Sequence, residues 1–374
     1  MANRSNTSGA VPPGKAGTGE LDPPPSLPLQ IFLFCAFLVT VAAYVVSQRS
    51  QPSDTETAAR AQNDRLHRLI MEKTKYDAFT RNGFQAEYQK HFDEAVSDFQ
   101  NAIGIQDTGE ARYNLANALL LQSKTNEAFA QFQIALGLNP KLRDVYTSWG
   151  QALMDQGKAE GAERVYRQAI EQNPEFSLTH FKLALALEAR KKNAEALEEY
   201  AQAARLGLND PGFFLQFGSL LNREGKFAQA ETYLTNAAAL KPDLPNVQFE
   251  LALAQQNQGK LAEAISRYEA MLARNPAHPE SLNNLALIYA TATKAELRSP
   301  KMAISLATRA SSAAGDKNTR FLDTLARSYA ADGDFLQAAV WENKAVEQAR
   351  QSGDPDLVRE LTARQALFQQ HKAE

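Results

Sequence analysis

The chain has one cysteine, Cys35, and five histidines in 374 residues. A single thiol can neither close an intramolecular disulfide nor build a multi-cysteine metal site. The histidines, His67, His91, His180, His278 and His371, include no pair four residues apart and no HExxH, so no helix-borne zinc site is expected. There is no GxxxxGK[ST] or strand-led GxGxxG phosphate loop, and no stretch alternates with the two-residue period of a strand. Excess positive charge is missing too. The 40 Lys+Arg against 43 Asp+Glu leave a net charge of −3, which argues against nucleic acid as a partner. Carboxylates are plentiful, but runs such as Glu195, Glu198 and Glu199 read as a solvated helix face. These absences lead us to expect no catalytic residue, no cofactor and no metal, hence a protein that is not an enzyme. A hydrophobic content of 44% nevertheless supplies a core to bury.

Residues 1–28 do not belong to that core. Pro12, Pro13, Pro23, Pro24, Pro25 and Pro28, with Gly9, Gly14, Gly17 and Gly19, predict a disordered tail, because such a composition buries too little apolar surface to offset its ordering entropy. The next segment, Leu29 to Val46, carries no charge. As a helix it would be roughly 27 Å long, enough for a bilayer core, and residues 29–47 are read as a single-pass transmembrane helix. The apolar run is longer than that of a cleavable signal peptide and closes on Tyr44, Val45 and Val46 rather than small residues, which favours a retained anchor. Lys15 precedes the span while Arg49, Arg60 and Arg65 follow it, a count that leans towards a cytoplasmic C-terminal domain. A long domain behind a signal anchor can translocate regardless of charge, so both topologies stay open. Residues 48–75 read as a polar helix or stalk, on which Leu66, Leu69 and Ile70 could self-associate.

From Tyr76 onward the sequence matches itself every 34 residues, most plainly at Ala128, Ala162, Ala196, Ala230 and Ala264. A large apolar column, Leu115, Trp149, Leu183, Phe217, Leu251 and Leu285, runs beside a small one, Ala116, Gly150, Ala184, Gly218, Ala252 and Ala286. Four residues after the alanines come Phe132, Tyr166, Tyr200, Leu234 and Tyr268, and Pro140, Pro174, Pro242 and Pro276 end the units. Apolar positions three and four apart make one face of a helix, and each unit holds two such stretches, so each is a helical hairpin. Gly157, Gly225, Gly259 and Gly333 fall between the two, where a helix can end in the left-handed conformation. One hairpin cannot cover its own apolar face, so neighbours must stack.

These columns resemble the tetratricopeptide repeat, whose 34-residue pattern sets a bulky residue, Gly or Ala beside it, Ala, an aromatic, Ala, then Pro. The resemblance implies an all-α, right-handed superhelix of about eight hairpins, over residues 76–352, with units beginning near Tyr76, Gly109, Arg143, Ser177, Pro211, Pro245, Pro279 and Thr319. The first unit is degenerate but keeps Gly83, Ala95, Phe99 and Ala102. The seventh carries an insertion, Thr291 to Lys301, before Ala303, Ala307 and Ala310. Residues 353–374 read as a capping helix and tail, with Leu357, Val358, Leu361, Leu367 and Phe368 on one side and Arg, Gln and Glu on the solvent side.

The resemblance also implies a function, binding of a protein or peptide segment in the concave groove, and places the second, fifth, ninth and twelfth residues of each unit there. The candidate groove residues are Tyr113, Asn117, Phe181, Leu185, Leu215, Phe249 and Leu253; Ser219, Asn283 and Leu287 occupy equivalent places. Two binding modes of the family are incomplete. A chaperone-carboxylate clamp is matched by Asn114 and Asn117 but broken by Tyr113, Ser148, Leu178 and Lys182. A sixth-position asparagine ladder, as in repeats attached to a sugar transferase, is matched by Asn114 and Asn284 but not by Ser148, Lys182, Gln216 and Glu250. The expected protein is thus a membrane-anchored scaffold or adaptor, with a non-catalytic regulatory or assembly subunit of an envelope biogenesis or secretion complex as the alternative. A homo-oligomer is compatible with either.

Overall fold

The computed structural model describes residues 35–39 and 54–372, and among them every regular element is helical. The chain divides into two units, Met1–Thr74 and Lys75–Glu374. In the first, residues 35–39 are helical and the leading part of α1 (Asp54–Tyr88) is exposed, including Leu66 and Leu69. The tail 1–28 and the expected span 29–47, apart from 35–39, lie outside the described residues. Among the described residues, no helix is long and apolar enough to cross a membrane.

The second unit is a series of hairpins. The end of α1 pairs with α2 (Phe92–Ile105), and α3 (Gly109–Leu121) with α4 (Thr125–Leu138). There follow α5 (Arg143–Asp155) with α6 (Ala159–Gln172), and α7 (Ser177–Ala189) with α8 (Asn193–Arg205). Next come α9 (Pro211–Arg223) with α10 (Phe227–Leu240), and α11 (Pro245–Asn257) with α12 (Leu261–Arg274). The last hairpins are α13 (Pro279–Thr291) with α14 (Pro300–Ala313), and α15 (Thr319–Ala331) with α16 (Phe335–Ser352); α17 (Pro355–Gln369) closes the array. From the second unit onward, each first helix starts on the residue at which the sequence repeat starts.

The columns explain the packing. Ala128, Ala162, Ala196, Ala230 and Ala264 are all 0% exposed, and Phe99, Phe132, Tyr200, Leu234 and Tyr268 are equally buried. Small residues on the first helix meet these large ones. A Cβ added to Gly218 would lie 2.5 Å from Leu234 Cγ, and one on Gly83 would lie 2.6 Å from Phe99 Cε1. In the glycine-bearing hairpins the interhelical distance is therefore set by the absence of a methyl group. Within every hairpin but the seventh, where Ala292 is extended, the first helix ends on a left-handed residue. Gly157 has φ 70°, and the amide of Lys158 donates to Leu153 O at 2.8 Å, as in a Schellman cap. Lys191 occupies the same place in the next unit at φ 61°, with the Lys192 amide donating to Leu187 O at 2.9 Å. Only the first of these turns was marked by glycine in the sequence.

The terminating prolines are used twice. Their rings stop the second helix, and their carbonyls accept side chains from the following unit. Tyr146 Oη donates to Pro140 O at 3.0 Å, His180 Nε2 to Pro174 O at 2.9 Å, and Gln248 Nε2 to Pro242 O at 2.9 Å.

Two surface readings are corrected by the packing. Glu199 does not sit on a solvated face, because its Oε2 lies 2.6 Å from Nδ1 of the buried His180. Arg364 lies inside the cap: it is 7% exposed and its Nη1 donates to Asp323 Oδ1 at 2.7 Å. The insertion of the seventh unit is ordered by a 3₁₀ turn, Ala295–Leu297, and by the Ser299 amide, which donates to Tyr289 O at 2.9 Å.

Candidate protein-binding groove

The first helices of successive units touch one another: α3 meets α5, α5 meets α7, α9 meets α11 and α13 meets α15, whereas no two second helices approach as closely. First helices therefore line the inner side of the array. Polar rungs tie neighbouring helices together across it. Tyr113 Oη lies 3.1 Å from Ser148 Oγ, Lys182 Nζ donates to Gln151 Oε1 at 2.8 Å, and Arg223 donates to Glu188 Oε1. Asn222 Nδ2 then donates to both the backbone carbonyl and the carboxylate of Glu250, at 2.9 and 2.8 Å. Such a floor is held in place before anything binds, which lowers the ordering cost of an encounter.

Among these rungs stand the residues singled out from the sequence. Tyr113, Asn117, Phe181, Leu185, Leu215, Phe249 and Leu253 are all intermediate in exposure, neither buried nor fully open. Phe181 packs edge-on against Phe213, with ring centroids 5.5 Å apart, and lies 6.0 Å from Tyr200. Phe249 lies 6.1 Å from Tyr268 and 5.6 Å from His278, and Tyr113 lies 6.2 Å from Phe132. Each ring thus rests against the core and keeps part of its surface accessible. Phe181, Leu185 and Leu215 share one core cluster, while Tyr113 and Phe249 rest on the clusters before and after it.

The strip is interrupted. Ser219 and Asn283 are only 9% and 7% exposed, so these two equivalents are closed to a ligand. One residue was missed: Phe84, 49% exposed and 5.3 Å from Phe99, holds the ninth place of the degenerate first unit. Counting from Tyr76 in the established register would have found it. At the other end, Asp323 and Arg327 fill the fifth and ninth places of the last unit, so the apolar strip gives way to charge.

The titratable groups nearby serve packing. Tyr200 Oη donates to Glu188 Oε2 at 2.8 Å, and burial, followed by the Glu188 charge, pushes its pKa far up. Glu163, 6% exposed, is pushed up by burial, but hydrogen bonds from Arg190, Lys192 and Arg167 together hold it below the ordinary carboxylate range. It links α6 to the residues just after α7. Among the described residues no three His, Cys, Asp or Glu side chains gather in a way that could hold a metal ion.

Family models described as tetratricopeptide repeat match residues 86–142, 147–211 and 221–288, about half of the chain. Among solved structures, the C-terminal part of a TPR repeat-containing protein from Cytophaga hutchinsonii is similar, with 16% identity and a TM-score of 0.51. The match covers 66% of this chain and 98% of that one. The pilF protein of Pseudomonas aeruginosa shares 21% identity at a TM-score of 0.49, over 56% of this chain and 96% of that one. The human protein O-mannosyl-transferase TMTC3 is 23% identical over 241 residues, 59% of this chain, and the match spans only 26% of that protein's length. At 16% identity the likeness to the Cytophaga hutchinsonii structure speaks to the fold alone. The repeat columns, the paired helices and the family models together establish that the chain belongs to the tetratricopeptide repeat family.

Proposed function

We propose that the chain is a non-catalytic protein-interaction scaffold whose inner surface captures a protein segment bearing apolar side chains, held at a bilayer by residues 29–47. The observation that carries this reading is the half-exposed strip of Phe181, Leu185, Leu215 and Phe249 on a floor already braced by interhelical hydrogen bonds. Apolar anchors in a concave, preorganised surface supply most of the energy of a protein contact, and the surrounding polar groups set its register. The uncharged run from Leu29 to Val46 supports the membrane tether. Holding a partner at one surface raises its effective concentration without any new contact.

The test is site-specific photo-cross-linking in the full-length chain. A photoreactive residue replaces Leu215 or Leu253 in the groove, or Glu198 on the exposed side of α8 as the control. The same partner should be captured from both groove positions and not from position 198. Equal capture from position 198, or none from the groove, would move the binding surface elsewhere. Protease protection of the repeats in sealed native vesicles assigns the membrane side.

A further inference from the structure

The fourth and twenty-third residues of a unit meet where its two helices pack, as Arg112 does with Gln131 and His180 with Glu199, and the eleventh lies along the same helix face as the fourth. In the unit beginning at Pro211 these are Phe214, Leu221 and Tyr233, with Phe214 stacked on Tyr233 at a centroid distance of 6.2 Å. In the unit beginning at Arg143, Tyr146 takes part, and with Phe176 at its edge the residual cavity is about 130 Å³. The unit beginning at Pro245 is different. Gln248, Gln255 and Arg267 stand in the three places, and a cleft of about 820 Å³ remains, walled by Pro242, Pro245, Ala270 and Met271. That volume lies in the range of small-molecule sites, roughly 300 to 1,000 Å³.

The polar floor of this cleft is preset. Arg267 Nε donates to Gln255 Oε1 at 3.0 Å and its Nη1 to Gln248 Oε1 at 2.6 Å. Both amides are themselves oriented: Gln248 Nε2 donates to Pro242 O, and Gln255 Nε2 to Glu231 Oε1 at 3.2 Å. The guanidinium is therefore held by neutral acceptors, and among the described residues no carboxylate forms an ion pair with it. The surrounding charges are otherwise engaged. Glu231 is paired with Lys260, Arg274 with Asp243 at 3.0 Å, and His278 Nδ1 accepts the Ser281 amide at 3.2 Å. Glu263 lines the rim, one turn before Arg267 on α12. Its charge disfavours a multiply charged anion such as phosphate.

A partly buried cation without a counter-charge is complementary to an anion, and the planar guanidinium fork matches a carboxylate in particular. We propose that this cleft binds a single carboxylate on an apolar stem, with the carboxylate on Arg267 and the stem along Pro242, Pro245, Ala270 and Met271. That chemistry belongs both to a free alkanoic acid and to the C-terminus of a peptide ending in an apolar residue. No residue of the groove strip lines the cleft, although His278 at its rim lies 5.6 Å from Phe249, and the carboxylate is read on Arg267 rather than on the strip.

Calorimetric titration of the full-length chain in nanodiscs, with matched acid and amide probes, tests the proposal. The probes are octanoate with octanamide, and acetyl-Ala-Ala-Leu as free acid and as C-terminal amide. At least one acid should bind at least tenfold more tightly than its amide, and Arg267→Gln should remove that preference. Stronger binding of octanoate identifies the free acid as the source; stronger binding of the peptide acid identifies a chain terminus. The triple substitution Gln248→Phe, Gln255→Leu and Arg267→Tyr, which installs the side chains of the preceding unit, should abolish binding while the melting temperature holds or rises. Equal binding of acid and amide, no binding of either acid at millimolar concentration, or an unchanged preference in Arg267→Gln overturns the proposal.

Discussion

Gly150 on α5 faces the ring of Tyr166 on α6 so closely that a Cβ on the glycine would lie 2.3 Å from Tyr166 Cε1. The tyrosine is 1% exposed and its ring is bounded by the core, so it has no room to withdraw. Gly150→Ala should therefore destabilise the array by about 1 to 3 kcal/mol, the usual range for overpacking. Gly104, in α2, has nothing within 4 Å of an added Cβ. Gly104→Ala should be neutral or stabilising by about 0.5 kcal/mol, through the lower entropy of the unfolded chain. Urea midpoints of the two variants measure the contrast, and equal shifts would refute the packing account.

A turn carries the second prediction. Lys191 adopts the left-handed conformation, φ 61°, in which a Cβ costs roughly 1 kcal/mol or more relative to glycine. Lys191→Gly should raise stability by about 1 kcal/mol, and Gly157→Ala, at φ 70° in the equivalent turn, should lower it by a similar amount. Thermal melts of the pair suffice. A destabilised Lys191→Gly would mean that the lysine side chain contributes more than its backbone conformation costs.

Acidity at the C-terminal cap gives the third. Glu342 on α16 is 0% exposed, and burial, reinforced by the neighbouring Asp323 carboxylate, pushes its pKa from 4.5 to about 9. Arg364 Nη1 stands 3.6 Å from it, and Arg327 and Glu360 complete the charged surroundings. The folded state then holds a proton that the unfolded state releases between about pH 4.5 and 9. Through this group, stability falls as pH rises across that window. Hydrogen exchange of α16 and α17 should show weaker protection near pH 8 than near pH 6, relative to Glu342→Gln, in which that dependence is lost. Identical pH profiles for the two proteins would rule the mechanism out.

Groove residues carry the fourth. Because Phe181 touches Phe213 and Tyr200, Phe181→Glu should remove partner capture and also lower stability, by about 1 to 3 kcal/mol for a charge placed against a core. Leu253, half-exposed at a ninth place, offers a cleaner probe. Leu253→Lys should weaken capture while keeping stability within about 1 kcal/mol of the original protein. Normal capture by the folded Leu253→Lys variant would exclude that residue from the interface.

How far the sequence could be read differs between backbone and surface. Hairpin boundaries, the buried alanine and aromatic columns and the left-handed glycines follow from a repeated spacing, because the same local geometry recurs whenever the same residues recur. The turns at Lys90, Ser123 and Lys191 carry no such mark, since stacking of neighbouring hairpins holds them in a conformation their own residues disfavour. Phe84 was hidden by the degeneracy of the first unit, although its register position was available. Arg364 and Glu199 looked like surface charge because their partners, Asp323 and His180, lie on other helices.

By itself the sequence determined that the repeats are a stack of helical hairpins, where each begins from the second onward and which faces meet, because periodic apolar residues leave no other way to bury them. Tertiary structure alone decided how much of each groove ring stays accessible. It also decided that Ser219 and Asn283 are closed, and that one repeat keeps an open cleft where the preceding one stacks two rings. Exposure depends on what the adjacent hairpin places against a side chain, and that neighbour is 34 residues away on a different helix.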